Sequence, residues 1–318
     1  MALAAVPEKP LLKPWYRLCV EDGRVVLDYA QSAVVFDGAA AKSLLPALLP
    51  LLDGEHGVDE IVAILGEPAA PAIAHALGTL SRHRLLASGD EARPSDSERD
   101  ETLRFLAANV GASEDAAERL ARARVRIAGS AQVGDELARL LGRSGVTRVV
   151  RGSLAAGTSG DLDLVAAAPT PAELAELAAW NETCLGAGVT WLAVLPYDGR
   201  IAAIGPLFVP GETCCYDCFR IRRASTSGYA AEFWALESGE ADYPDSVVLQ
   251  RCVAALAAWI VLRWLTARDA SLPGAFHALE LGALSLSRHE VWRVPRCPSC
   301  SEAVGAAPPS PWFEGELR

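Results

Sequence analysis

Lysine is nearly missing from this chain. Of 318 residues only Lys9, Lys13 and Lys42 carry an ammonium side chain. A compact point charge on a phosphate is therefore excluded everywhere beyond position 42, and arginine does not replace it in a tight site. Positive charge is short overall, with 29 Lys and Arg against 40 Asp and Glu and a net charge of -11. That balance excludes the concentrated basic surface a nucleic-acid partner needs. The start, "MALAAVPEKPLLKPWYRL", has no basic stretch leading into an apolar core, so no secretory signal is read. The longest apolar run, Cys252 to Leu262, is shorter than a bilayer span and is bracketed by Arg251 and Arg263. A cytoplasmic protein with no membrane partner is expected. His56, His75, His83, His277 and His289 form no H-x-x-x-H or H-x-E pattern, and no Ser/His/Asp set is readable. Solvated or core roles are expected for all five.

What is there is a globular composition, 51% apolar and 22% charged, in a chain long enough for two domains. Residues 10–90 read as a small α+β module. "WYRLCVEDGRVVLDY" gives two short strands around Asp22-Gly23, a strong hairpin signal. A third strand, Ser32 to Phe36, is followed by helical stretches at Ala39 to Leu52 (interrupted by Pro46 and Pro50), Val58 to Leu65 and Pro71 to Arg84. Three strands and three short helices predict a winged-helix-like fold. Residues 91–120 read as a polar, acidic linker and a connecting helix. From 121 to 318 strands and helices alternate: "ARVRIAG", "VGDELARLLGRSG", "VTRVVRG", "DLDLVAAA", a helix from Thr170 to Leu185 capped by Gly186, "TWLAVLP" and "RIAAIGPLFV". This is the grammar of an open, mostly parallel sheet. A long apolar helix, Ser246 to Arg268, and a closing strand pair complete it.

Two C-x-x-C pairs stand out, Cys215 with Cys218 and Cys297 with Cys300. Two intervening residues let one turn present both sulfurs to a tetrahedral ion, and two such turns leave no open position, so a structural zinc site is predicted. In the cytoplasm paired cysteines are metal ligands more often than disulfides. Cys214 reads as a spare, and Cys19, Cys184 and Cys252 as small core residues. "FRIRR" (219–223) and "ERLARARVR" (118–126) are basic patches. Each is a solvated helix face or a dock for an acidic partner.

A Gly-containing strand–helix–strand, "GETCCYDCF", a long apolar helix and "VPRCPSC" together resemble the ThiF family of ubiquitin-activating-type adenylating enzymes, over roughly Arg124 to Cys300. The resemblance implies a Rossmann-type α/β domain with structural zinc. The G-x-G-x-x-G that approaches phosphate in that family is here Gly129-Ser130-Ala131-Gln132-Val133-Gly134. The second strand ends in Arg151-Gly152 where the family places an acid for ribose. No acid stands in Ala166 to Pro171, and Asp161 and Asp163 come too early. Arg143, Arg148 and Arg151 stand near those positions, but arginine is no equivalent point charge in a tight site and three separate losses stand together. The fold is expected to be kept and ATP not to bind.

The order of the two parts is similar to the cyclodehydratase C proteins and ocin-ThiF-like F proteins of azol(in)e and thiopeptide biosynthesis. That resemblance implies a non-catalytic scaffold. Its N-terminal PqqD-like element would bind the leader of a ribosomal precursor peptide, and its partner would be an ATP-dependent YcaO-family cyclodehydratase. Homodimers through the sheet domain are common in ThiF-like proteins and are expected here. A leader adding as a strand to Ser32–Phe36 would be gripped by Val34, Phe36, Ile73 and Leu77. The alternatives are an active adenylating enzyme acting on a peptide or carrier-protein C-terminus, and a winged-helix regulator with a zinc-stabilised sensor domain.

Overall fold

The computed structural model describes residues 6–13, 16–21, 23–29, 32–83, 85–89, 97–110, 115–158, 161–230, 232–237 and 245–301. The chain divides into two compact units, Met1–Glu114 and Asp115–Arg318.

In the first unit β2 (Arg17–Glu21), β3 (Arg24–Tyr29) and β4 (Ser32–Phe36) form an antiparallel sheet in the order β2-β3-β4. Gly23, at φ 74°, makes the hairpin turn that an L side chain would resist. Val25 and Leu27 alternate inward from the central strand onto a core of Leu45, Leu48, Ile61, Ile73, Leu77 and Leu80. The helices supplying that core are α1 (Ala39–Ser43), α2 (Leu45–Leu48), α3 (Val58–Leu65) and α4 (Ala70–Arg82). Pro46 stands at the first turn of α2 and Pro50 in the 3-10 turn Leu49–Leu51. The prolines thus cut the predicted helix into three short pieces. A two-stranded ribbon of β1 (Pro10–Leu12) and β5 (Leu86–Ser88) ties the start of the module to its end. At three residues each, these strands carry too little pattern to be read from sequence. α5 (Glu98–Val110) groups with this unit and α6 (Ala116–Arg122) with the next, so the linker expected over 91–120 is divided between them. Its residues 91–96 and 111–114 lie outside the described residues.

The second unit is built on a seven-stranded sheet in the order β12-β11-β10-β9-β8-β6-β7. Its parallel part is β6 (Arg124–Ala128), β7 (Arg148–Gly152), β8 (Leu164–Ala167) and β9 (Trp191–Val194). β10 (Ile201–Phe208), β11 (Ala275–Glu280) and β12 (Ser285–Glu290) continue it antiparallel. Half the pairings are therefore antiparallel, a correction to the mostly parallel sheet expected. Helices α7 (Gln132–Arg143) and α8 (Leu177–Ala187) carry the parallel crossovers β6 to β7 and β8 to β9, whereas β9 to β10 and β11 to β12 are joined by short turns that can only return antiparallel. α8 is preceded by a 3-10 stretch, Pro171–Glu176, and ends at Gly188 in the left-handed region, two residues beyond the Gly186 expected.

α9 (Tyr216–Thr226) packs on α8 and β10, while α11 (Val247–Ala267) packs on α6, α7, β9 and β10. The 21-residue α11 is the one described helix that by length and composition alone would cross a membrane. Counting only the uninterrupted apolar run understated its reach. Its Val253, Ala254, Ala257, Val261 and Leu265 are buried, which makes it the central helix of this unit. Because helices cover both faces, all four residues of β8 and of β9 are buried.

Candidate functional site

The first constellation is the cysteine frame. Cys215 stands at the N-cap of α9 and Cys218 in its first turn; Cys297 and Cys300 lie in the turn after β12. The Sγ atoms are separated by 3.6 Å (Cys215–Cys297), 3.5 Å (Cys218–Cys300) and 3.9 Å (Cys215–Cys218). All four lie within 4.8 Å of one another. A tetrahedral ion with arms of roughly 2.3 Å to sulfur requires edges of about 3.8 Å, so the spacing fits one. The Val294 N–H donates to Cys218 Sγ at 3.3 Å, the kind of outer contact that fixes a thiolate ligand. The Cys215 thiol also donates to Cys218, which favours the thiolate there and pulls its pKa down to about 4. Burial, and then the neighbouring Cys218, push Cys300 up to about 12. Four sulfurs this close hold more than one negative charge only when a cation sits among them.

The frame's surroundings are equally built. Asp217 and Ser299, the middle residues of the two turns, hydrogen-bond to each other across it. Fully buried Asn181, on α8, accepts the Tyr216 N–H at 2.9 Å through its Oδ1 and caps α9. Trp191, Phe208, Tyr216, Phe219 and Phe276 form a chain of ring contacts beside it, with Trp191 and Phe208 centroids 4.5 Å apart. Cys214 is buried in that same core, outside the four-sulfur group, and burial lifts its thiol to about 12. It packs and does not ligate. Cys184 is a core residue as expected, whereas Cys19 and Cys252 are exposed: Cys19 lies on the outer strand β2, all five of whose residues are exposed, and Cys252 on an outward position of α11. The "FRIRR" patch is tied up internally. Arg220 pairs with Glu237 (2.7 Å) and Asp217 (3.3 Å), Arg223 with Glu237 (3.3 Å), and Arg222 donates to the Trp292 and Arg293 carbonyls.

The second constellation is a cleft of about 420 Å³ at the carboxyl ends of β6, β8 and β9. Its wall includes Ser130, Ala131, Thr170, Leu195, Tyr197 and Val253, and among the described residues its one charged lining side chain is Asp245. Gly129 takes φ 103°, and a Cβ there would run into the Ala168 carbonyl; glycine is required. Beside it the turn amides are occupied from within. Glu173 accepts the Ser130 N–H (3.0 Å), the Ser130 hydroxyl (2.7 Å), the Thr170 N–H (2.8 Å) and the Thr170 hydroxyl (3.2 Å). The Thr170 bonds are a capping box on the 3-10 stretch that follows. The Ser130 bonds reach across to the turn at the head of α7. Burial raises the Glu173 carboxyl, but these four donors outweigh it and hold its pKa below the usual range.

At the second strand's end, Arg151 folds over Gly134, donating to Asp135 Oδ1 (3.0 Å) and to the Ala131 carbonyl (3.3 Å). The sequence flagged Arg151 as a departure and passed over Glu173, although Thr170-Pro171-Ala172-Glu173 spells a capping box. The early acids are a full strand-length from this cleft: Asp163 accepts the Arg124 N–H at 2.8 Å, at the opposite end of the sheet.

The third is the edge of the first unit. β4 is an outer strand of its sheet, with Val34 and Phe36 half-buried against the core. Phe36 meets His83 edge to face at 6.2 Å, which brings the strand to the end of α4. Ile73 and Leu77 are 0% and 1% exposed. They hold α4 to the core and present no surface to a ligand in this conformation.

No protein-family profile matches the chain, and no curated protein matches it by sequence. Solved structures do match by fold. The heterocyclase TruD superposes with a TM-score of 0.72 at 24% identity, over 93% of this chain and 43% of that one. A heterocyclase in complex with substrate and cofactor gives 0.67 at 23%, over 92% and 39%. MccB of E. coli with ATP gives 0.65 at 13%, over 92% and 99%. The likeness shows the fold. This chain thus spans about two fifths of the heterocyclase chains and nearly all of MccB. The ThiF-like α/β architecture expected for the second unit agrees with its mixed seven-stranded sheet.

Proposed function

We propose that this chain is a non-catalytic scaffold of ribosomal-peptide heterocycle formation. It binds a precursor leader through its first unit and presents the core to, and activates, a YcaO-family cyclodehydratase, which supplies ATP chemistry and forms thiazoline or oxazoline rings. The observation that carries the reading is Glu173. In a fold shared over 93% of the chain with a heterocyclase, an internal carboxylate holds the turn amides that would otherwise receive phosphate. Arg151 standing where an acid would hold ribose, and the absence of lysine beyond Lys42, support it. In this reading the leader adds to the free edge of β4 beside Val34 and Phe36, with Ile73 and Leu77 supporting that groove from the core. The four cysteines hold zinc as a structural ion, and the protein acts in the cytoplasm, as a homodimer.

Calorimetric titration of a leader peptide encoded beside this protein tests the proposal. A Kd in the micromolar range or tighter, about -8 kcal/mol, is expected; no heat of binding at that concentration overturns it. A second reading, an adenylating enzyme, is favoured by the cleft that persists at the sheet's carboxyl edge and by the likeness to MccB bound to ATP. Magnesium-dependent ATP–pyrophosphate exchange would establish it in place of the first.

A further inference from the structure

At the amino end of the same sheet lies a second cleft, of about 670 Å³, with the opposite character. Arg119 and Arg122 come from the last turn of α6, Arg268 caps α11, and Arg124 and Arg148 open β6 and β7. Arg124 and Arg148 are register partners on adjacent parallel strands, so two like charges stand side by side. Like charges so placed repel unless an anion lies between them. Leu265 and Ala123 supply a buried apolar floor.

Existing carboxylates cover this charge only in part. Arg119 pairs with Asp115 (2.7 Å), Arg122 with Glu118, and Arg124 with Asp161 (3.2 Å). These acids are exposed, and surface pairs of this kind exchange readily for a ligand carboxylate. The Asp163 carboxylate, which also lines the cleft, is engaged by the Arg124 backbone N–H. Among the described residues Arg148 and Arg268 have no carboxylate partner, and the Arg268 guanidinium lies over the Trp264 ring at 4.8 Å. Helix C-termini attract basic side chains, which accounts for Arg119, Arg122 and Arg268. It does not account for the two strand-leading arginines that complete the ring.

We infer that this cleft is a docking site for an acidic peptide segment, one carrying glutamate or aspartate interleaved with an aliphatic side chain. Guanidinium forks match planar carboxylates two bonds at a time, and the apolar floor takes the intervening side chain. The volume is that of a few residues, far larger than a lone inorganic anion needs. A nucleic acid is disfavoured because the remaining surface of a chain with net charge -11 repels a long polyanion. The inference is independent of the leader site on the first unit.

Fluorescence anisotropy on the full chain, with a fluorescein-labelled hexapeptide alternating glutamate and leucine, tests it. Binding is expected to weaken as salt rises, and the same peptide with glutamine for glutamate is expected not to bind. Arg148→Glu and Arg268→Glu are each expected to lower affinity by about ten-fold or more, the scale of a lost charge-assisted hydrogen bond. Both side chains are exposed, so unchanged circular dichroism is expected to accompany the loss, with melting unchanged in Arg148→Glu and lowered by no more than about 4 °C in Arg268→Glu, which gives up a favourable helix-end charge. Equal binding of the glutamine peptide, full affinity in either variant, or preference for tripolyphosphate or a single-stranded oligonucleotide over the peptide would each overturn the assignment.

Discussion

One sheet carries two clefts, and its two ends have been treated in opposite ways. At the carboxyl ends of the strands an acid, Glu173, fills the turn amides, and among the described residues no cation lines the cavity. At the amino ends five arginines gather in an otherwise acidic protein. The end that the fold makes naturally attractive to anions has been neutralised from within. The end with no such backbone endowment has been given its positive charge by side chains. A fold thus fixes where a cleft forms, and a handful of side chains decide the charge of what enters it.

The largest expected effect removes both clefts together. Cys297→Ser takes one sulfur from the frame that joins α9 to the turn after β12, and a structural metal contributes directly to folding. Melting is expected to fall by about 10 °C or more, with bound metal lost in elemental analysis. Chelation of the native protein should reproduce it. An unchanged melting curve would show that the sulfurs only pack.

Glu173→Ala is the intermediate case, and it acts at one end only. The amides of Ser130 and Thr170 lose their acceptor, at a cost of about 1–3 kcal/mol. Pyrophosphate should then bind the variant measurably and the parent not at all, by calorimetry. The pH dependence follows from the lowered carboxyl of Glu173. A depressed folded value contributes stability above the unfolded pKa of 4.5 and loses it as pH falls through the folded value. Acid melts of the parent should show this loss below about pH 4.5, and those of Glu173→Gln should lack it.

The smallest effect sharpens the other end. Asp161→Asn removes one exposed carboxylate from Arg124, worth no more than about 0.5 kcal/mol of stability. It should raise affinity for the acidic peptide about two-fold, since Arg124 is released from competition. A fall in affinity would mean that Arg124 does not face the bound segment.

How much of this was legible in the sequence depended on distance along the chain. The two C-x-x-C turns are each local, so the sulfur frame was readable down to its four residues. The hairpin at Gly23 and the alternation of strands and helices were readable for the same reason. Glu173 was not, because its decisive partner, Ser130, is 43 residues away and only the fold brings them together. Asn181 likewise meets Tyr216 across 35 residues. Composition also misled locally: Cys19 and Cys252 look like core residues by type, yet both are exposed, Cys19 with the whole of its edge strand and Cys252 on an outward position of α11. Ile73 and Leu77 looked like anchors by their spacing, and that same spacing is what packs a helix on its own core.

The two cysteine turns are 82 residues apart, and α9, α10 (Phe233–Glu237), α11, β11 and β12 all lie at or between them. A link closing a loop of that length withdraws about 4–5 kcal/mol of disorder from the unfolded chain in the chain-entropy account. It also imposes an order in time. During synthesis the first pair of sulfurs emerges long before the second, and a metal held by two ligands fastens nothing. With a metal in the frame, the second unit would therefore close only after Cys300 has left the ribosome.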